Sequence, residues 1–194
     1  MSKNDISFGL YFGNVYNYQF GYDIINAEAN NLNDSRMQVR GLFISKPVSK
    51  IIEMRLSYTN FSCSGIPIII KDRRSYAFDF LVNSFSFDLK FLLLNKFGLK
   101  VGLISNLTMN YQFYHVYEFS YPNIKELKIR DEFYFGTSPG ISIGVHYPDS
   151  GFGIYLEVNR EYIIENNKFK HYGNILKLMF QISFKNVFRK DYSK

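Results

Sequence analysis

The chain has 194 residues, a formal net charge of +6, and 20 Phe and 16 Tyr but no Trp. This length suits one substantial domain, and no Pro/Gly/Ser-rich linker indicates a second. The longest wholly apolar stretches are far shorter than the roughly 20 residues that a membrane-spanning helix needs. The single cysteine, Cys63, excludes an intramolecular disulfide. We therefore expect one β-rich domain that covers residues 1–194.

Eight segments with alternating apolar residues follow one another along the chain. Their connections alternate in length: 17–35, 62–77, 112–131 and 161–172 are long, whereas 46–50, 94–97 and 148–151 are short. An antiparallel meander places the short turns at one rim and the long loops at the other, as in bacterial transmembrane barrels. The predicted fold class is all-β, an eight-stranded antiparallel up-and-down transmembrane β-barrel. We predict that the barrel spans about 5–188 and that 189–194 form a short polar tail.

Each predicted strand has one apolar face, because side chains in a strand alternate between the two sides. The clearest alternation lies in the fourth strand, where a one-residue slip would invert the two faces completely. In the second strand we predict that Val39 and Phe43 belong to the apolar face and that Arg40 points into a polar interior. The residues that we predict to face lipid most clearly are Phe85, Phe87, Leu89, Phe91, Leu93, Leu178, Phe180, Ile182 and Phe184.

Charged residues of both signs lie on the opposite, polar faces of these strands. They are Glu53, Arg55, Asp88, Lys90, Lys100, Glu157 and Lys177. An eight-stranded barrel is just wide enough for side chains to fill its interior. Removing one partner of a buried ion pair costs several kcal/mol, so these charges are expected to pair. We predict a polar network that fills the lumen and leaves no channel.

Alternation alone does not decide whether the apolar face points outward to lipid or inward to a soluble core. A soluble lipocalin-like or avidin-like barrel that binds a small apolar ligand has the same alternation. Two features favour lipid. The polar faces carry small residues, as a crowded interior requires, and four or five Phe or Leu per strand would overfill a barrel of this size.

The sequence contains no Gly-rich phosphate loop, paired-Cys metal motif or His-Glu zinc helix. We therefore predict no catalytic residues, cofactor or metal, and the scattered Lys and Arg residues do not indicate nucleic acid. The different-class alternative is a membrane-embedded barrel enzyme that acts on lipid or peptide. In it, His115 and His171 would meet near the external rim with Asp131 or Glu161.

Four segments carry a diffuse resemblance to a known family: 6–13 (ISFGLYFG), 44–50 (ISKPVSK), 97–103 (FGLKVGL) and 176–184 (LKLMFQISF). Through them the chain resembles the PorT-like outer-membrane β-barrels of Bacteroidetes over nearly its full length. The resemblance implies insertion in the outer membrane after export. It adds no catalytic motif.

The predicted function is that of a small outer-membrane barrel with a structural, adhesive or accessory role, either alone or as a subunit of a larger envelope or secretion/transport complex. Its expected partners are outer-membrane lipid and other envelope proteins that contact the long loops. No signal peptide precedes the first strand in this numbering. If the protein is exported, we therefore expect the numbering to start at the mature chain. The loop 62–77 contains the apolar stretch 65–70, which is expected to plug the barrel mouth, to contact a partner or to extend a strand.

Overall fold

The computed structural model describes residues 5–16, 37–63, 68–71, 74–120, 123–147, 150–165 and 168–184. These residues form ten β-segments: β1 (Ile6–Tyr16), β2 (Met37–Pro47), β3 (Ile52–Cys63), β4 (Ile68–Lys71), β5 (Arg74–Lys96), β6 (Leu99–Ser120), β7 (Asn123–Thr137), β8 (Gly140–Tyr147), β9 (Phe152–Glu165) and β10 (Lys168–Phe184). The described residues include no helix long and apolar enough to cross a membrane.

The ten segments occupy eight positions of one closed antiparallel ring. Segments β3 and β4 pair with successive parts of β5, so they are two pieces of one strand. Segments β7 and β8 lie in the same way between β6 and β9. Pairing of β1 with β10 closes the ring and leaves the barrel wall without an open edge. The predicted fold class is confirmed.

The three short connections lie together at one rim, which we call the short-turn rim. They follow β2, β5 and β8. The β5–β6 turn is at Phe97 and Gly98, whose φ angles are 52° and 80°. Two positive φ angles are typical of the tight turn that matches the twist of a hairpin. The turn predicted at 94–97 lies instead at 97–98, because β5 remains paired with β6 as far as Lys96.

At the opposite rim, most of the predicted long loops are strand. In the connections expected at 112–131 and 161–172, the described residues are paired strand: β6 runs to Ser120, β7 starts at Asn123, β9 runs to Glu165 and β10 starts at Lys168. Residues 121–122 and 166–167 lie outside the described part of the chain. In the region predicted as the loop 62–77, Ile68–Lys71 pairs with β5 and extends a strand, whereas 64–67 and the loop 17–35 lie outside the described residues. Continued pairing satisfies backbone N–H and C=O groups that a loop would leave to water. Aromatic residues favour this outcome.

The apolar faces of the strands point outward. Exposed fractions reach 61% for Leu56, 68% for Leu107 and 52% for Ile182. All nine residues predicted to face lipid are exposed or half-buried. The soluble alternative, in which the apolar face lines the interior, is therefore wrong.

The face assignment of β2 is the one that the structure inverts. Val39 and Phe43 are buried inside the barrel, whereas Arg40 is exposed and its Nε donates to Asn60 Oδ1 at 3.3 Å. The outward apolar residues of this strand are Leu42 and Ile44. The register explains the inversion, because Phe43 is paired with Gly9, which has no side chain, and with Ser57, which has a small one, and both leave room for an inward aromatic ring.

Candidate functional site: the charged network in the barrel interior

All seven charged residues predicted for the lumen are buried, and none is more than 8% exposed. The strand register places six of them directly opposite a residue of opposite charge. These cross-strand pairs are Glu53–Lys90, Arg55–Asp88 and Glu157–Lys177. Side chains of directly opposite residues have Cβ atoms about 5 Å apart on the same face, so each pair is in position to interact. The structure thus brings the predicted residues together.

Arg55 lies at the centre of the network. Its Nε donates to Asp88 Oδ2 at 2.6 Å, and its Nη1 and Nη2 donate to the two carboxylate oxygens of Glu157 at 2.8 and 2.9 Å. The Ser57 hydroxyl donates to the same Asp88 oxygen at 3.1 Å. A planar guanidinium with several donors suits this double role, because it can bind one carboxylate with two parallel hydrogen bonds and still reach another.

The contact between Arg55 and Glu157 crosses the lumen. Arg55 is on β3 and Glu157 is on β9, and these strands lie four positions apart in the eight-membered ring. They are therefore on opposite walls. A bridge between opposite walls closes the interior at this level and ties together strands that share no backbone hydrogen bonds.

Aromatic side chains occupy the remaining interior space around the lysines. The Nζ of Lys90 lies 4.4 Å from the ring centroid of Tyr155 and 3.8 Å from Glu157 Oε1. The Nζ of Lys177 lies 5.0 Å from the Tyr11 ring centroid. These distances are in the range of cation–π attraction, which is strongest for desolvated groups. The lysines are thus held between carboxylates and aromatic faces.

Alternation does not predict how large some inward residues are. Tyr11, Phe43, Tyr155 and Met179 are all at most 4% exposed and fill the lumen. The Tyr11 hydroxyl contacts the Thr59 hydroxyl and donates to the carbonyl oxygen of Tyr58 at 3.1 Å. The sequence signal for Tyr155 and Met179 is their place on the polar face of an alternating strand.

The residues considered for an enzyme site lie on strands, whereas that hypothesis placed them in external loops. Glu161 is 2% exposed and lies inside β9, so its placement in an external loop is wrong, whereas Asp131 is exposed on β7. His115 is on β6, where its backbone lies opposite Asp79 of β5 and Ile129 of β7, whereas His171 is on β10. Strands β6 and β10 are not neighbours in the ring.

Over the described ranges, no group of three or more His, Cys, Asp or Glu residues is placed to hold a metal ion. The buried carboxylates of Asp88 and Glu157 are bound to Arg55, so they are arranged for structural pairing. The chemistry that this interior supports best is mutual charge neutralisation, which holds the walls of the barrel together.

Comparison with solved structures identifies the fold. Neisserial surface protein A is 13% identical, with a TM-score of 0.59, over 93% of this chain and 97% of that one. The N-terminal barrel of Pseudomonas aeruginosa OprF is 12% identical, with a TM-score of 0.56, over 95% and 100%. The Yersinia pestis attachment invasion locus protein Ail is 13% identical, with a TM-score of 0.56, over 94% and 100%. No protein-family model and no curated protein matches the chain.

Together, the closed ring, the apolar exterior and these similarities define the class of protein. The chain has the fold of the small eight-stranded β-barrels of bacterial outer membranes.

Proposed function

We propose that this protein is a non-enzymatic component of the bacterial outer membrane, with a structural, adhesive or accessory role exerted through its long hairpins. The observation that carries the proposal is a closed barrel that is apolar outside and crossed by ion pairs inside. Only lipid can cover such an exterior around the whole ring, because water would leave the apolar band exposed. Membership of the PorT-like family is part of this proposal and is supported by the four segments quoted above.

The unequal strand lengths support a role outside the membrane. Strands β1 and β2 have 11 residues each, which matches the 9–11 residues of a transmembrane strand. Strands β5 and β6 have 23 and 22 residues, about twice that length. Their surplus lies at the rim opposite the short turns, where β4, β5, β6 and β7 continue as a four-stranded sheet beyond the barrel. This projecting sheet is the proposed docking surface for other envelope proteins.

The lumen supports a role without transport. The bridge from Arg55 to Glu157 and the aromatic rings of Tyr11 and Tyr155 occupy the cross-section where a channel would run. Reconstituted into planar bilayers, the protein should produce no stepwise conductance. Regular single-channel steps from the wild-type barrel would contradict this part of the proposal.

Membrane insertion is tested by electrophoresis of the refolded chain, unheated against boiled, with and without detergent. We expect folding only in detergent or lipid, together with a heat-dependent change in mobility. A monomeric, β-rich protein that stays soluble without detergent would overturn the proposal.

Docking is tested by trimming the projecting sheet without disturbing the barrel. Phe113 is paired with Asp131, and Ser62 with Leu81. Replacing 114–130 and 63–80 each by Asn-Gly therefore closes both hairpins with two-residue turns of the favoured type. A control variant replaces 164–169 by Asn-Gly between the paired residues Ile163 and Lys170.

In native electrophoresis of extracted envelopes, we expect the wild type and the control to migrate in a larger assembly and the trimmed variant to migrate as a monomer. All three should keep the heat-dependent mobility of a folded barrel. If the trimmed variant stays in the larger assembly, the projecting sheet is not the docking surface.

A further inference from the structure

A second site lies at the short-turn rim, away from the centre of the lumen network. It is a cavity of about 500 Å³ between the 48–51 turn and the β5–β6 hairpin. This volume falls within the range of small-ligand sites. The lining includes Lys50 from the 48–51 turn and Lys96 from the end of β5, together with Lys100 and Glu53, the second residues of β6 and β3. We call it the rim lysine pocket.

The charge of the rim lysine pocket favours an anion. Three lysines line it, and Glu53 is its one carboxylate among the described residues. Lys100 is 3% exposed, whereas Lys50 and Lys96 are exposed to solvent. Ammonium groups arranged in this way bind phosphate oxygens as compact point charges. Lys50 and Lys96, which are exposed, can reach a group that enters the cavity.

The apolar part of the lining indicates which anion. Ile51 and Leu93 are 60% and 66% exposed, and Leu94 beside them is 37% exposed. An irregularity between Leu92 and Leu94 leaves Leu93 without a partner on β6 in the strand register. These side chains belong to the outer, lipid-facing surface, yet they border the same cavity as the lysines. A ligand that satisfies both parts has a phosphate and an acyl chain.

We propose that the rim lysine pocket binds the phosphate headgroup of an anionic phospholipid, whose acyl chains lie along Ile51, Leu93 and Leu94. The inference rests on the proposed insertion in the outer membrane, where the short turns face the periplasm and its phospholipid leaflet. A lipid held there would fix the vertical position of the barrel in the bilayer. It would also neutralise the excess positive charge of the pocket.

The test is native mass spectrometry of the refolded barrel in detergent, titrated with phosphatidylglycerol or with phosphatidylcholine. The variants are Lys50→Gln, Lys96→Gln and both together. Lys46→Gln is the matched control, because Lys46 is exposed at the same rim but does not line the cavity. A lysine near an anionic lipid surface contributes about 1 kcal/mol, which corresponds to about a fivefold change in affinity.

We expect the wild type to prefer phosphatidylglycerol, each pocket variant to lose about fivefold in affinity for it, and the double variant to lose the preference. Lys46→Gln should bind as the wild type does. Equal binding of the two lipids by the wild type, or an equal loss in Lys46→Gln, would overturn the proposal, since either result indicates diffuse surface charge.

Glycerol phosphate, the soluble headgroup analogue, separates the two possible sources of the phosphate. If it binds the wild type as tightly as phosphatidylglycerol does, with the same dependence on Lys50 and Lys96, the ligand is a soluble phosphate and the lipid assignment is wrong. Heat-dependent mobility is recorded for every sample. A barrel that folds in detergent without lipid preference refutes this pocket alone, whereas failure to fold in detergent refutes the proposed function.

Discussion

Replacing Arg55 by Met tests whether the lumen network holds the barrel together. The substitution keeps a long side chain but removes the three hydrogen bonds to Asp88 and Glu157, which are 2% and 0% exposed. Removing one partner of a buried ion pair leaves uncompensated charge and costs about 3–5 kcal/mol. We expect a loss of this size, a large fraction of the roughly 5–15 kcal/mol that stabilises a typical domain.

The assay is reversible urea unfolding in lipid vesicles, followed by circular dichroism and tyrosine fluorescence because the chain has 16 Tyr and no Trp. Lys46→Met is the control, since it removes a positive charge from an exposed position. A double-mutant cycle with Glu157→Gln isolates the bridge across the lumen. The double variant should lose less stability than the sum of the single variants, by about 1 kcal/mol or more.

Two results would refute this reasoning. If Arg55→Met unfolds within about 0.5 kcal/mol of the wild type, comparable to an ordinary surface substitution, water or other residues solvate the two carboxylates. If the effects of Arg55→Met and Glu157→Gln are additive, the two side chains are not coupled and the bridge contributes nothing of its own.

Three further substitutions test the exterior, a turn and the interior. Leu56→Arg, on the outward apolar face, should destabilise the inserted barrel by about 2–4 kcal/mol, whereas Val48→Arg at the short-turn rim should cost about 0–1 kcal/mol in the same vesicle assay. Equal costs would mean that the bilayer does not surround Leu56. Gly98→Ala should cost more than about 1 kcal/mol in urea unfolding, because its φ of 80° strains a side chain and the new Cβ would meet the His146 carbonyl oxygen. Unchanged stability would contradict this turn geometry. Tyr11→Phe should cost about 1 kcal/mol by removing the hydroxyl that contacts Tyr58 and Thr59, and a neutral result would show that this hydrogen bond makes no net contribution.

The sequence supported strong predictions where alternation was regular. In β3, β5, β9 and β10 the outward and inward faces follow directly from a period of two residues. The predicted lumen residues come from these strands and from β6, so the alternation alone predicts that all of them are buried. Strand β2 shows the limit of the pattern. Its apolar residues occur on both faces, and only the small partners Gly9 and Ser57 explain why Phe43 points inward.

The long rim shows a second limit. Residues 112–131 contain charged residues beside aromatic ones. Considered without its pairing partners, such a stretch is predicted to be a loop. The structure continues β6 and β7 through most of this region because each strand finds hydrogen-bonding partners in the other. Strand length is therefore a property of the pair. The same holds for Glu161. The sequence pattern predicts that it lies in a loop, whereas the pairing of β9 with β10 places it in the barrel wall.

The β-barrel class, the number of strand positions and the two faces of most strands follow from alternation and turn spacing, because these are local properties of the chain. Which residues meet across the lumen depends on how the ring closes. Arg55 and Glu157 are 102 residues apart, and no local rule links them. They meet because closure of the ring by β1 and β10 fixes β3 and β9 on opposite walls, from which the two long side chains reach each other at hydrogen-bonding distance.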